Sequence, residues 1–583
     1  MSTSNEPNVD EDNQGSSAES EAGTDSDLNV NSEEESSGED DSAGDDGEWR
    51  RIAGVCDRGA VPIHFSATPG YKNIPQGISK PIEYFNLFFT DEFIEKIVQE
   101  TNKYSDQYVE EHEEHLSTHS KSRVHQWLQK GHTNKEEIRA FLGVCLNMGI
   151  VSKPTIESFW DTVHPSINTP WFPQHFKRNR FQLLLKFLHF NDNSLYNEGN
   201  PDHALYKIKP IIEHLQEKFI EYFHPGRDLS LDESLIAFKG LTPHLRQFMR
   251  NKLHAKFGVK MWCVCDVNSG YTCTFEIYGG KTREPPVRGT FNVTHRTVIR
   301  LLNQARVLNL GHNVGFDNYF SSPALFQDLY ERNTTATGTV RSNRQGLPPD
   351  MQDTRVLNNE VAEWRQGNML CVKYRDGTRN PVHLISTKCS GGFTHVTNRR
   401  NERVTRPNIV NEYNRIMGGV DLKDSKLYAY LSERRTLKWT TKVAMYLFGT
   451  AVLNSYIIYK KHTRSAVMSR LDFMLSIIDD LVRHYNPQTT QRRAREEIEE
   501  GQRQPLALLQ MNETAQRRAR EEIEEGQRQP LALLQMNETA QRRAREESEE
   551  GQRQPLAVLQ MNTLEHRLEK LPKKKLRDCV AVF

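Results

Sequence analysis

The sequence of this 583-residue chain predicts an α/β fold, a mixed β-sheet flanked by helices. Three observations carry that expectation. Between about 225 and 340, β-rich runs alternate with amphipathic helical runs in the order βββαβαβ, the pattern of a mixed sheet with helices packed on it. Before that stretch, residues 81–224 keep a helical period. Finally, Asp232, Asp317 and Asp421 each close an apolar run, and a carboxylate there projects into the crevice beyond the strand ends of a buried sheet.

Taken in order, residues 1–50 hold 17 Asp and Glu against one basic residue, Arg50, a charge of −16, which leaves +15 on the rest of a chain whose formal net charge is −1. With almost no large apolar residues, that acidic tail cannot offset its ordering entropy and is expected to be disordered. The basic body behind it suits a polyanionic partner, with which the tail would compete for the basic surface. Residues 51–80, punctuated by ATPG and PQG, read as an extended lead-in. In IEYFNLFFTDEFIEKIVQETNKY, Thr90 or Asp91 can cap a helix whose apolar face is Phe93, Ile94, Ile97 and Val98. KEEIRAFLGVCLNMGIV and RNRFQLLLKFLHF continue the helical theme.

From 225 the period changes. HPGRDLSLDESLIAFKG, FGVKMWCVCDVNSGY and TCTFEIYGG are strand-like, with Asn268-Ser269-Gly270 as a turn between the last two. Then come a helix in HRTVIRLLNQARVL, a strand in GHNVGFDNYF, a helix in SPALFQDLYERN and a strand in TTATGTVRS. Residues 341–405 break this rhythm with turn-rich sequence and short strands such as MLCVKYRDG and VHLISTK, and are expected to be an insertion. Over 406–485 the chain returns to long helices, in VNEYNRIMGGVDLKDSKLYAY and TLKWTTKVAMYLFGTAVLNSYIIYKKH. Residues 486–565 form a linker in which QRRAREEIEEGQRQPLALLQMNETA, starting at 491, recurs at 516 and 541. Each unit has too little apolar surface to build a stacked array. The basic tail 566–583 carries a cluster from Lys570 to Arg577, readable as a nuclear import signal or a phosphate contact.

Eight scattered cysteines with no CxxC pair point to reduced thiols. No run of roughly 18 apolar residues exists, so no membrane helix is expected. The acidic start lacks the basic and apolar regions of a secretory signal, and the sequons at Asn292 and Asn333 are not expected to carry glycans.

Three converging aspartates repel one another unless a divalent cation neutralises them. Oxygen-only ligation suits Mg²⁺ or Mn²⁺ and two-metal phosphodiester cleavage. The ordinary alternative for any one of them is a cap or a turn. Glu233 follows Asp232 directly and points to the opposite strand face, which makes it a poor ligand. Trp439 in RRTLKW stands at the head of an apolar helix, where a core position is the ordinary reading. Beside it Arg434, Arg435 and Lys438 are candidate phosphate contacts. His112, His115 and His119 have zinc-like helical spacing but a polar setting that fits a solvated face. Cys263 and Cys265 alternate on one strand face as small hydrophobes do.

The blocks ESFWDTVHP, RNRFQLLLKFLHFNDN, LDESLIAFKG, FGVKMWCVCD, GFDNYF, GGVDLKDS, RRTLKW and LNSYIIYKK, in this order over about 80–465, resemble the piggyBac family of DNA transposases. That resemblance implies an RNase H-like catalytic domain (225–340 and 406–485) interrupted by the insertion and preceded by a helical dimerisation and DNA-binding region. It implies Asp232, Asp317 and Asp421 as catalytic carboxylates holding two Mg²⁺ or Mn²⁺ ions, Asp424 as a fourth carboxylate aiding ligation or orienting water, and Trp439 as a tryptophan near the active site whose indole would stack on an unpaired base or hairpin end, as readily as fill a core position. It also implies double-stranded DNA as partner, both transposon ends and TTAA target, with hairpin formation and strand transfer, a homodimer, and nuclear residence. Where the family carries a cysteine-rich zinc domain, this chain has LPKKKLRDC up to Cys579 and ends at Phe583. One cysteine closes no four-ligand zinc site, so a truncated remnant is expected. The alternative to a transposase is a domesticated, transposon-derived protein that binds DNA or chromatin without catalysis.

Overall fold

The computed structural model describes residues 47–52, 57, 59–199, 203–240, 242, 244–249, 256–280, 292–397, 401–432, 436, 438–463 and 467–485. All belong to the first of two contact units, Met1–Ile498, the second being Glu499–Phe583. Most of the acidic tail, the 25-residue repeats and the basic tail therefore lie outside the described residues.

The first half is helical. Helix α1 (Asp91–Glu111) begins where Thr90 Oγ1 accepts the Phe93 N–H at 3.2 Å, and it buries Phe93, Ile94, Ile97 and Val98. Thr90, rather than Asp91, is thus the cap. Helix α2 (Lys135–Ile150) is capped by Asn134, whose Oδ1 accepts from Glu137 N–H at 2.9 Å. Helices α3 (Arg178–Phe187) and α4 (Lys209–Tyr222) complete this part. Between α2 and α3, buried Arg180 grips Glu137 with two bonds of 2.9 and 2.6 Å and lies 4.1 Å over the Trp127 ring. The three histidines with zinc-like spacing stack on rings instead: His115 and His119 on each other at 4.0 Å, and His112 on Tyr108 at 4.0 Å.

The sheet follows. Its core is β1 (Asp228–Ala237), β2 (Phe257–Asp266), β3 (Thr272–Ile277), α5 (Val293–Gln304), β4 (Asn313–Phe316), α6 (Pro323–Glu331) and β5 (Thr335–Thr339), with a short strand Arg246–Phe248 added beside β2. The β2–β3 turn closes with Gly270 at φ +71°, its N–H bonded to Asp266 O at 2.8 Å. That left-handed conformation favours glycine. In space the order is β3-β2-β1-β4-β5, with β1 antiparallel to β2, and β1, β4 and β5 mutually parallel. This is the RNase H-like arrangement. The short parallel β4, NVGF, is buried throughout, as a strand covered on both faces must be. Cys263 and Cys265 are fully buried in β2, and burial pushes both thiols up.

Residues 341–405 extend this sheet. Strand β8 (Val382–Ser386) pairs antiparallel with β5 through Ile385 and Gly338, and β7 (Met369–Tyr374), β6 (Val361–Gln366) and Arg50–Arg51 carry the sheet to ten strands. A two-stranded ribbon, Phe393–Thr397 with Arg403–Pro407, leads back to the helices.

The segment VNEYNRIMGGVDLKDSKLYAY, read from sequence as part of one long helical stretch, breaks into α7 (Asn408–Ile416) and α8 (Gly419–Tyr428). A Cβ on Gly419 would stand 2.9 Å from Ser230 Cβ, and one on Gly315 would stand 2.8 Å from Ile416 Cγ1, so both helices lie tight against β1 and β4. Helix α9 (Trp439–His462) is buried along most of its length, and α10 (Arg470–Arg483) packs on α2, where a Cβ on Gly143 would stand 3.1 Å from Leu481 Cβ. Among the described residues no helix is long and apolar enough to cross a membrane.

Candidate active site

Asp232 sits midway along β1, between Ser230 and Ser234 on the same strand face. That face is turned to α7 and α8. Ser230 Oγ donates to Met417 O at 2.9 Å, and Ser234 Oγ donates to Asp424 at 3.1 and 3.2 Å. Asp317 is the first residue after β4, one step beyond Phe316, which pairs with Leu231. Adjacent parallel strands thus deliver Asp232 and Asp317 to one rim. Asp421 lies in the first turn of α8, the electropositive end of that helix, and is exposed.

Tyr413 on α7 ties the three together. Burial pushes its hydroxyl up to about 12, and the charges of Asp232, Asp317 and Asp421 all act in the same direction. One phenol therefore senses all three carboxylates at once. They share a field without closing on a point: among the described residues, no three His, Cys, Asp or Glu are gathered as a metal-holding group. The reasons are local. Asp232 Oδ1 accepts the Glu233 N–H at 2.7 Å, Asp317 Oδ1 accepts the Tyr319 N–H at 3.1 Å, and Asp421 is exposed. The three aspartates offer an oxygen-only donor set, which fits a hard divalent cation.

Glu233 was set aside from sequence as lying on the opposite strand face. It makes an ion pair with Lys260 at 2.5 Å on that side, as a cross-strand neighbour would. Its charge nevertheless reaches Asp317, whose carboxyl is raised first by burial and then by Glu233. Being adjacent to Asp232 was its only signal in the sequence.

Asp424, one turn after Asp421, is held by side chains that sequence reasoning missed. Lys423, fully buried, donates to Asp424 Oδ1 at 2.6 Å, to Ser234 Oγ at 2.7 Å and to Tyr446 Oη at 2.9 Å, and Tyr446 donates to Asp424 Oδ1 at 3.0 Å. Burial pulls the Lys423 ammonium down, yet the Asp424 charge outweighs it and holds the group well above its usual value. A lysine in the polar run DLKDS gives no sequence sign of burial.

Trp439 opens α9, half-buried, its indole packed against the main core. Lys438 donates to the Lys186 carbonyl, and burial followed by the Lys186 and Lys207 charges holds its ammonium below the usual value. Lys186, Lys438 and Lys442 rim a cavity of about 560 Å³ whose wall includes Met148, Phe181 and Met445. Arg434 and Arg435 lie outside the described residues.

With this geometry in hand, the likenesses to known proteins are specific. The family model described as Transposase IS4 matches residues 80–456. PiggyBac transposable element-derived protein 3 of Homo sapiens is 27% identical over 402 residues, covering 66% of this chain and 62% of that protein. PiggyBac transposable element-derived protein 2 of Homo sapiens is 24% identical over 426 residues, 70% of this chain and 66% of that protein. The chain thus spans less than two thirds of each relative's length. A solved piggyBac transposase, in a synaptic complex with hairpin DNA, superposes with a TM-score of 0.62 at 24% identity, over 73% of this chain and 84% of that one, a likeness of fold.

Proposed function

This chain belongs to the Transposase IS4 family, in its piggyBac branch, and from that premise we propose that it is a metal-dependent DNA strand transferase. It nicks at the 3′ end of an element, lets the freed 3′-OH form a hairpin on the other strand, then opens that hairpin and joins the end to a TTAA target. The single observation that supports this reading is that Asp232 and Asp317 follow the paired residues Leu231 and Phe316 on adjacent parallel strands, against which the helix opening with Asp421 is packed.

In this reading Asp232, on the central strand β1, would hold the divalent cations together with Asp317 and Asp421. Bound Mg²⁺ or Mn²⁺ would supply activation of the attacking hydroxyl and charge neutralisation at the leaving oxygen. The protein's own part is to fix the carboxylates and the DNA. Lys438, Arg434 and Arg435 contact phosphates, which position the duplex without reading its sequence. Trp439 presents its indole to an unpaired base at the hairpin end. Double-stranded DNA as substrate makes the nucleus the place of action, and two element ends call for a homodimer.

The test is strand opening and joining by the purified full-length chain on a TTAA-flanked hairpin duplex, in Mg²⁺ or in EDTA. Products that require Mg²⁺ and vanish with Asp317→Ala support the reading. Opening by Asp317→Ala at the wild-type rate sinks it.

A second reading has its own observation. No three carboxylates close on a metal-holding point among the described residues, and the human relatives are named as transposable element-derived proteins. A domesticated DNA-binding protein would keep salt-sensitive affinity and yield no metal-dependent product in the same assay.

A further inference from the structure

The edge of the sheet exposes an aromatic pair. Phe248, on the short strand Arg246–Phe248, pairs with Phe257, the first residue of β2, and their ring centroids lie 4.9 Å apart. Phe248 is 58% exposed and Phe257 40%, whereas Val259 and Met261, next along the same face of β2, are fully buried. The core therefore ends at Val259, and the two rings project past it. The Met249 N–H donates to Lys256 O at 2.8 Å and closes the ribbon beyond the pair. Arg246 lies on the same face, its guanidinium 5.6 Å from the Phe257 ring centroid.

Strand register relates this pair to the aspartates. Asp232 stands opposite Cys263, and residues 263, 261, 259 and 257 alternate onto one face of β2. Phe257 thus shares the sheet face of Asp232, six residues along β2 from Cys263, a distance of about 20 Å. Helix α8, packed on that face, ends against Leu235, where Tyr428 Oη donates to Leu235 O at 2.8 Å. A duplex running along β2 from a phosphodiester at Asp232 would present a step about six base pairs away to the rings, at about 3.4 Å per base pair.

Charge and chemistry select the occupant. From Ser234 to Cys265 the sequence holds six Lys and Arg and no Asp or Glu, which attracts a polyanion. A second copy meeting this patch across a two-fold axis would set those cations against themselves. The acidic tail has the charge but almost no large apolar residue to lay on two phenyl rings. DNA supplies both, phosphates for the cations and base faces for the rings. In an intact duplex the base faces are reached only by insertion between steps, as apolar wedges in the minor groove do.

We infer that Phe248 and Phe257 form an apolar wedge that enters duplex DNA about six base pairs from the cut phosphodiester and kinks it there. The wedge rests on the strand-transferase reading and adds the place at which the protein bends its substrate.

The experiment uses the full-length chain in EDTA, where nothing is cut, with TTAA-flanked hairpin duplexes. Each duplex carries a single 2-aminopurine, which brightens on unstacking, at successive positions about three to nine base pairs from the cut. The expected result is a rise confined to neighbouring positions about six base pairs out. It is lost with Phe248→Ser/Phe257→Ser and kept with Phe248→Leu/Phe257→Leu, since leucine also serves as a wedge. The serine variant should bind about tenfold more weakly with an unchanged salt dependence, because no charge is removed. A rise that survives in the serine variant, or a flat wild-type profile on bound duplex, overturns the wedge and leaves the functional reading intact. So does a serine variant that sediments as a smaller species than wild type, since the rings would then belong to an interface between copies. A wild type that binds no duplex overturns the functional reading, and the wedge with it. Should the serine variant fail to fold, the wild-type profile still decides.

Discussion

Arg415 on α7 donates to Asp228 Oδ2 at 2.7 Å, joining that helix to the first residue of β1. The bridge does not stand alone. Arg415 also bonds Glu412 at 2.9 and 3.0 Å, Lys388 reaches Glu412 at 2.5 Å, and Asn313 at the head of β4 bonds both Asp228 and Glu412. The network fixes α7 across the starts of the two strands that carry Asp232, midway along β1, and Asp317, just past the end of β4. Tyr413, on the same helix, is thereby held where it meets all three carboxylates.

The carboxyl of Asp317 is raised by burial and by Glu233. A carboxyl held above its ordinary value resists ionising in the folded state, so its charge at neutral pH works against folding, and that stability returns as pH falls through the raised value. Asp317→Asn should therefore raise the melting temperature at pH 7 in EDTA while abolishing metal-dependent cleavage. An unchanged or lower melting temperature would show that the charge is already compensated.

Gly419→Ala places a methyl 2.9 Å from Ser230 Cβ and 3.3 Å from Val267 Cα. Neither neighbour can move without shifting β1 or the loop after β2. The expected cost is about 1–3 kcal/mol of stability. Asp421, two residues on, moves with the helix, so hairpin opening should slow more than the stability loss explains. Denaturant midpoints and initial rates measured together separate the two.

Glu137 and Arg180 are both nearly fully buried, and Glu137 also accepts from Tyr485 Oη at 3.0 Å. Removing one partner strands the other charge. Arg180→Met should cost about 3–5 kcal/mol, and Arg180→Met/Glu137→Leu should recover most of it. Equilibrium unfolding in urea reads both values directly.

His312 is fully buried. Burial, followed by the His224 charge, holds its imidazole down to about 4, against carbonyl bonds from Gly226 and Arg227 that favour the charged form. Because the unfolded chain takes the proton first, stability is full above about 6.5 and is lost as pH falls toward about 4, by up to about 3 kcal/mol. His312→Phe should flatten that part of the stability profile.

What the sequence made legible was local. The Thr90 cap, the Asn268-Ser269-Gly270 turn and the βββαβαβ alternation all follow from patterns within a few residues, and the structure contains each. What it hid depended on distant neighbours. The strands of 341–405 look isolated because their partner, Thr335–Thr339, lies in another segment. The break at Gly418 falls where Ser230 closes on Gly419 and Ile416 on Gly315, approaches that no helical period encodes. For Lys423 the pattern misleads outright: its charge reads as solvent-facing, and only the packing of α8 on β1 and α9 buries it. The aspartates themselves were conspicuous, whereas Tyr413, the residue that reports their common field, was one tyrosine among 19.

The seam between α2 and α10, where Gly143 meets Leu481 and Tyr485 reaches Glu137, sets an order of events during synthesis. The first helices leave the ribosome with an apolar face that α10 cannot cover, and a Glu137 carboxylate that lacks its Tyr485 donor, until residue 485 has been made. At roughly 5–20 residues per second, that wait lasts tens of seconds. Throughout it the nascent chain offers chaperones an unfinished surface, and a message cut short before α10 would leave that surface open for good, marking the product for degradation.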